Sequence, residues 1–250
     1  MLKAVLFDQD GVIIDTERDG HRVAFNRAFR ECGLDCEWDE ELYHKLLQIG
    51  GGKERIRHYF EHYYTGKKID EADGGLDGMV KKLHERKTAI FLDLVKTMPL
   101  RPGIFRFMKE IQSAGLKIGI CTTSNEKVAQ MIAFERLNGI AFDVLIAGDM
   151  VGKKKPDPEI YQSALDRLGI DGSECLVVED SGIGTRAGSA AGCAVLATVN
   201  GYTRDEDLSA ASWVVTCLGD AETEKAEFIG KAIPLAIPGV ISIEDIRLVY

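Results

Sequence analysis

The sequence has no run of about 18 consecutive apolar residues, the length that a transmembrane helix requires. It also lacks, at its N-terminus, the succession of basic, apolar and small residues that marks a secretory signal peptide. Its six cysteines are scattered, and no two of them form a CxxC pair. These absences argue against a membrane protein and a disulfide framework, and we expect a cytoplasmic protein with free thiols.

Basic residues are in the minority, because 31 lysines and arginines face 40 acidic residues and the formal net charge is −9. Non-specific binding to nucleic acid or to an anionic membrane needs clustered basic residues. We therefore predict neither partner, and expect a small-molecule substrate instead. A few local cations are still enough to bind an anionic one. The length of 250 residues suits one large domain or two unequal ones, and we expect a monomer.

Short apolar runs alternate with amphipathic segments in most of the chain. Such runs, bounded by turn residues, are typical of buried strands, and helices between them imply parallel βαβ units with right-handed crossovers. We therefore predict an α/β fold with a doubly wound parallel sheet. The predicted strands are Ala4 to Phe7, Leu116 to Cys121, Val144 to Ala147, Cys175 to Val178, Ala194 to Thr198 and Trp213 to Val215.

About eighty residues after the first strand have a different pattern, with apolar residues at helical spacing and no convincing strand. This pattern predicts an α-helical domain, residues 16–97, inserted into an α/β core domain made of residues 1–15 and 98–250. The helical segments are His21 to Cys32, Glu40 to Leu47, Lys53 to Tyr64 and Asp77 to Thr97.

Polar residues follow four of the predicted strands. Asp8 and Asp10 end the first strand on the same side of the chain, and Gly11 allows a sharp turn behind them. Two acids after one strand would also fit a simple solvated turn. However, the carboxyl ends of parallel strands share one edge of a sheet, so residues distant in sequence converge there. The later strand ends supply Thr122, Lys155, Glu179 and Asp180.

Such a set of residues suits few ions and few reactions. Several carboxylates in a small volume repel one another unless a cation is present, and an all-oxygen set suits Mg²⁺ better than zinc or copper. A lysine and a hydroxyl facing that ion suit a phosphate group. An aspartate beside Mg²⁺ can attack phosphorus and form an aspartyl-phosphate, and a second aspartate can transfer the protons.

The sequence resembles the haloacid dehalogenase-like hydrolases. DQDGV at 8–12, the strand ending in Thr122, KPDP at 155–158 and VVEDS at 177–181 match the four motifs of that family, in its order. The resemblance implies a Rossmann-like core with an inserted helical cap. It further implies that Asp8 is the nucleophile and Asp10 the general acid and base. The phosphoryl group would be bound by Thr122 and Lys155, and Mg²⁺ by Asp8, the Asp10 carbonyl and Asp180, with Glu179 in the same shell.

Within that family, the predicted cap is similar to that of the β-phosphoglucomutase subfamily, and most to the CbbY-like phosphatases, which include a xylulose-1,5-bisphosphate phosphatase. The similar residues are Glu17, His21, Arg22 and the run LLQIGGGKERIRHYF at 46–60. The resemblance implies that Glu17, His21, Arg22, Lys53 and Glu54 contact the substrate. It implies the same for Lys87 by its position. Ser124 and Asn125 either bind phosphate or cap the helix that follows, and both interpretations stay open.

Three functions follow from these residues. The first is a Mg²⁺-dependent phosphatase acting on a phosphorylated sugar, for example a sugar bisphosphate such as xylulose-1,5-bisphosphate. The second is a phosphomutase, which shares the first half-reaction. The third is a non-catalytic phosphate-binding module on the same fold. The Gly-Gly-Gly-Lys-Glu loop favours the phosphatase over the mutase, and the full set of catalytic residue types argues against the third function.

Overall fold

The structure is a computed structural model that describes residues 1–66 and 74–250. The chain divides into two compact units, an α/β unit of Met1–Asp15 with Pro99–Tyr250 and a helical unit of Thr16–Met98. The second unit thus interrupts the sequence of the first. In the described parts of the chain, no helix is both long enough and apolar enough to cross a membrane.

The described residues of the helical unit form four α-helices, and a π-helical turn at Glu17–His21 leads into the first. They begin and end within two residues of the predicted bounds. Gly51 and Gly74 precede two of these helices with φ of +95° and +85°, values that glycine adopts without strain. The helices are α1 (Arg22–Glu31), α2 (Glu40–Leu47), α3 (Gly52–His62) and α4 (Gly75–Val95).

An aromatic core holds the helical unit together. Trp38, which precedes α2, is fully buried, and its ring centroid lies 4.6 Å from that of Phe25 and 5.0 Å from that of Phe29. The Asn26 side chain fixes Trp38 by bonding both its N–H and its carbonyl, at 2.8 and 2.9 Å. Tyr43 belongs to the same cluster, so its hydroxyl has a fixed position in the unit.

The α/β unit is built on a six-stranded sheet whose strands are all parallel, in the order β3-β2-β1-β4-β5-β6. The predicted doubly wound α/β fold is confirmed. Every predicted strand is present, with ends that differ by no more than one residue. The strands are β1 (Ala4–Phe7), β2 (Lys117–Cys121), β3 (Val144–Ile146), β4 (Cys175–Glu179), β5 (Ala194–Thr198) and β6 (Trp213–Val215).

Helices connect these strands. The segment after β2 is an α-helix from Glu126 to Met131 followed by a π-helical turn, in which the Leu137 N–H bonds the carbonyl of Ile132. The helices are α5 (Ile104–Ser113), α6 (Glu126–Met131), α7 (Glu159–Leu168), α8 (Gly182–Ala190) and α9 (Ile243–Val249).

The strand order reverses direction at β1, which pairs with β2 on one side and β4 on the other. In open α/β sheets, ligands bind outside the carboxyl ends of the strands at such a switch point. β1 is fully buried and apolar, so its position in the middle of the sheet follows from its composition. The residues that follow β1 and β4 therefore lie where this fold places its ligand site.

Candidate active site

The segment after β1 turns tightly and presents two aspartates. The Asp8 N–H bonds the carbonyl of Val178 on β4 at 2.9 Å, which extends the sheet by one residue. Gly11 then adopts a φ of +82°, and its N–H bonds the carbonyl of Ile14 at 2.8 Å. The turn leaves the Asp8 carboxyl group buried and that of Asp10 half-buried.

A cluster of three buried acids lies at this edge of the sheet. Asp8, Glu179 and Asp180 each offer a carboxylate oxygen, and the three oxygens lie within 4.8 Å of one another. All three residues are at least nine-tenths buried, so water screens their mutual repulsion poorly. Hard oxygen donors of this kind fit Mg²⁺, whose charge would offset that repulsion. The donor set is therefore suited to the ion that the sequence implied.

Lys155 lies among these acids. Its ammonium group donates to Oδ1 of Asp8 at 2.6 Å, to Oε1 of Glu179 at 2.5 Å and to the carbonyl of Cys121 at 3.1 Å. Burial lowers the pKa of Lys155, but the two carboxylates outweigh burial and raise it above its usual value. The residue is therefore a fixed positive charge beside Asp8.

Burial raises the pKa of the Asp8 carboxyl group, to about 8. Lys155 lowers this pKa, whereas the charges of Glu179 and Asp10 raise it further. A cation held among the acids would lower this pKa, because it favours the ionised form.

The residues after β2 face the same turn. Thr122 is buried, and its hydroxyl oxygen accepts a bond from the N–H of Ser124 at 3.0 Å. The Ser124 hydroxyl in turn donates to Oδ2 of Asp10 at 2.5 Å. The ends of β1 and β2 are thereby joined through side chains.

Asn125 caps a helix. Its side-chain oxygen accepts from the N–H of Lys127 at 3.0 Å at the start of α6, and its amide donates to Asp149 at 2.8 Å. Asn125 is therefore the N-cap of α6, which was one of the two interpretations of its role. Phosphate binding by Asn125 or Ser124 remains a prediction.

In the helical unit, His21 and Lys87 form a buried pair. Nδ1 of His21 lies 2.7 Å from the Lys87 ammonium nitrogen. The His21 ring stacks on Phe91 at 3.8 Å, and the Lys87 nitrogen lies 4.8 Å from the ring centroid of Phe25. Cation–π contacts therefore hold a lysine in a largely apolar position.

Glu17 and Arg22 lie near the start of the helical unit. Glu17 accepts a hydrogen bond from the Tyr43 hydroxyl, which itself accepts from Arg55 at 3.1 Å. Arg22 lies 3.6 Å from Glu40 and 3.5 Å from the carbonyl of Trp38. Both predicted substrate residues thus have fixed neighbours within the unit.

Lys53 and Glu54 line a cavity of about 620 Å³ between α3 and α4. The cavity has both acidic and basic walls, and neither His21 nor Lys87 belongs to its described lining. The remaining lining residues are Ile49, Arg57, His58, Glu61, Asp77, Val80 and Lys81. The helical unit therefore presents the six predicted substrate residues in separate groups.

A family model described as haloacid dehalogenase-like hydrolase matches residues 2–192. This chain belongs to that family. A CBBY-like protein of Arabidopsis thaliana is 44% identical over 229 residues, which cover 89% of this chain and 71% of that one. A phosphorylated carbohydrates phosphatase of Thermotoga maritima is 31% identical, over 76% of this chain and 82% of that one. This member of the haloacid dehalogenase-like hydrolases is an enzyme of the phosphatase type.

A solved relative has the same fold. It is an aspartate-to-asparagine variant of CbbY from Rhodobacter sphaeroides, crystallised in complex with xylulose-1,5-bisphosphate. Its chain is 34% identical to this one with a TM-score of 0.79, and the match covers 89% of this chain and 98% of that one. The predicted likeness to CbbY-like haloacid dehalogenase-like hydrolases is confirmed.

The structure adds three residues that the sequence interpretation missed. The Tyr161 hydroxyl donates to Glu179, and burial raises the pKa of Tyr161 well above its usual value, so it stays protonated. The Asn200 amide donates to Oδ2 of Asp180 at 2.7 Å. Arg101 donates to the carbonyls of Gly11, Thr198, Val199 and Thr216. Only Asn200 had a sequence signal, because it lies just beyond a fifth predicted strand end.

Two glycines pack directly on the two acids at the carboxyl end of β4, Glu179 and Asp180. A β-carbon on Gly11 would overlap Oδ2 of Asp180, and one on Gly184 would overlap the whole carboxylate of Glu179. No side chain fits at either position without displacing an acid. These two glycines therefore help to define the orientation of the two carboxylates.

We predict that Gly184→Ala lowers phosphatase turnover by about tenfold or more, because it displaces the Glu179 carboxylate from the cluster of acids. Gly184 lies within α8, where alanine is intrinsically better than glycine by about 1 kcal/mol. Helix propensity alone thus predicts that the substitution leaves the stability of the protein unchanged or increases it. The overlap with Glu179 predicts instead that the carboxylate is displaced. Phosphate release and thermal unfolding should be measured together.

Ser189→Ala is the matched control, since it introduces the same residue at an exposed position of α8. It should leave turnover unchanged. Normal turnover in the Gly184→Ala enzyme would show that the contact between Gly184 and Glu179 is irrelevant to the reaction.

Proposed function

We propose that this chain is a Mg²⁺-dependent phosphatase that hydrolyses a phosphorylated sugar through an aspartyl-phosphate on Asp8. The observation that carries the proposal is the buried cluster of three acids with Lys155 bonded to Asp8 and Glu179. An acid held beside a fixed ammonium group and a cation site is suited to attack a phosphoryl group whose own charge would otherwise repel it.

Asp8, Asp180 and the Asp10 carbonyl would hold Mg²⁺, with Glu179 in the same shell. When bound, the ion would supply positive charge that keeps Asp8 ionised and offsets the charge of the phosphoryl oxygens. Lys155 and the hydroxyl of Thr122 would bind those same oxygens. These roles follow from the family motifs together with the burial and the charge of the residues.

In the first step an Asp8 carboxylate oxygen forms a bond to phosphorus as the bond from phosphorus to the sugar oxygen breaks. Asp10 gives its proton to that leaving oxygen. In the second step Asp10 takes a proton from water, whose oxygen attacks the same phosphorus and releases Asp8. The products are inorganic phosphate and the sugar with a free hydroxyl group in place of the phosphate ester. The bond from Ser124 orients the Asp10 carboxyl group for both transfers.

We assign recognition of the rest of the substrate to the helical unit, as a cap domain of residues 16–97. Lys53, Lys87 and Arg22 suit a second phosphate, whereas Glu17, His21 and Glu54 suit sugar hydroxyls. A sugar bisphosphate agrees with this mixture of cations and acceptors. The CbbY relative that binds xylulose-1,5-bisphosphate makes this compound the first candidate.

A panel of sugar monophosphates and bisphosphates, incubated with the enzyme and Mg²⁺, tests the proposal. We expect release of inorganic phosphate, faster from a bisphosphate than from the matching monophosphate, and none after chelation of the metal. Isomerisation of a sugar phosphate without phosphate release would instead indicate a phosphomutase. Binding of a sugar phosphate with neither reaction would indicate a non-catalytic module.

A further inference from the structure

The Glu179 carboxylate accepts three hydrogen bonds from the described residues. Oε1 accepts hydrogen bonds from both Lys155, at 2.5 Å, and the hydroxyl of Tyr161. Oε2 lies 3.2 Å from the N–H of Asp180, which donates to it. Glu179 thus sits between the lysine that faces Asp8 and a tyrosine outside all four family motifs.

Tyr161 is held rigidly. It lies on α7 and is fully buried in the apolar core of the α/β unit, in a cluster that includes Cys121 and Ile146. The Lys155 nitrogen lies 5.1 Å from the centroid of its ring. Tyr161 therefore contacts both members of the Lys155–Glu179 pair, one through its ring and the other through its hydroxyl.

We propose that Tyr161 is a positioning residue for the phosphoryl transfer, which holds the Glu179 carboxylate so that Lys155 stays directed at Asp8. A hydrogen bond to a charged carboxylate is about twice as strong as one between neutral groups. Without the hydroxyl, the hydrogen bonds that Glu179 accepts within the described residues would come from Lys155 and one backbone N–H. The carboxylate could then rotate, and the ammonium group would follow it away from Asp8. The inference rests on the proposed phosphatase function for its kinetic consequences only.

Tyr161→Phe tests this role, because it removes the hydroxyl and retains the ring, its packing and its contact with Lys155. We expect kcat to fall by about 10- to 100-fold, the range typical of groups that orient metal ligands, with a smaller change in KM. The dissociation constant of Mg²⁺, measured by calorimetry without substrate, should increase severalfold. Inhibition by inorganic phosphate should also weaken, because Lys155 is less well directed.

Tyr59→Phe is the matched control. Tyr59 is also buried, but it lies in the aromatic core of the helical unit. The control should lose some thermal stability and keep both kcat and the affinity for Mg²⁺. A loss of stability alone in Tyr161→Phe, with kcat and Mg²⁺ affinity as in the control, would overturn the proposal.

A double-mutant cycle provides a second test. If Tyr161 acts through Glu179, then Tyr161→Phe should have little further effect on Mg²⁺ affinity in a Glu179→Gln background. Additive effects would show that the two side chains act independently, contrary to the proposal. The metal titrations need no substrate, so they decide the role of Tyr161 even if the substrate panel shows no phosphatase activity.

Discussion

Asp8→Asn is expected to reduce phosphate release by at least about 10⁴-fold, since the loss of a nucleophile generally removes nearly all of the chemical step. The asparagine side chain has the same shape but is a poor nucleophile, and it cannot carry the phosphoryl group. Turnover should be measured on the best substrate of the panel at saturating Mg²⁺. Asp166→Asn, at an exposed position on α7, is the control and should remain fully active.

The same substitution should stabilise the metal-free protein at neutral and higher pH. The pKa of Asp8 is raised from 3.8 to about 8, so between these values the folded state binds more protons than the unfolded state. The contribution of the Asp8 carboxyl group to the free energy of unfolding is therefore present below about pH 4 and is lost as the pH rises through about 8. Asparagine carries no charge, so this loss should disappear.

Denaturant unfolding in the presence of a chelator, from about pH 5 to about pH 9, measures the effect. The free energy of unfolding should fall with pH more steeply in the wild type than in Asp8→Asn. Added Mg²⁺ should stabilise the wild type more than the variant. Parallel pH profiles would contradict the raised pKa of Asp8, and undiminished turnover would refute its role as nucleophile.

Lys155→Met is expected to reduce both activity and stability. The substitution leaves Asp8 and Glu179 facing each other without the cation between them, and breaking a buried ion pair in this way costs about 3–5 kcal/mol. Turnover should fall by about 10³-fold or more, because a group that stabilises the transferring phosphoryl charge is lost.

The loss of stability in Lys155→Met should depend on pH. Lys155 lowers the pKa of Asp8, so its removal raises that pKa further and the metal-free variant should weaken more steeply than the wild type as the pH rises. Lys153→Met is the matched control, since the Lys153 side chain is 73% exposed and should change little. If both variants unfold alike at every pH, the buried ion pair does not stabilise the protein.

The order of helices and strands could be predicted from the sequence because each strand is short, apolar and bounded by turn residues. The run Ala4–Phe7 was recognisable as a buried strand, and the helical spacing after Thr16 separated a second unit from the first. Polar residues at four strand ends predicted convergence, because parallel strands direct their carboxyl ends to one edge. Asp8, Lys155, Glu179 and Asp180 indeed lie together in the structure.

Contacts between side chains from distant segments could not be predicted from the sequence in the same way. Tyr161 is on the apolar face of a helix, and its pattern is that of a core residue, since periodicity records burial and not the partner of a hydroxyl group. Arg101 has no motif, and only the fold brings four carbonyls to its guanidinium group.

The sequence by itself thus determined the family, the α/β fold and the residue types available for phosphoryl transfer, because these depend on local pattern and on the topology of parallel strands. The tertiary structure alone decided which oxygen of Glu179 meets Tyr161 and Lys155, and how closely Gly184 packs on that carboxylate. These features depend on the packing of side chains from separate helices and strands, which no local pattern encodes.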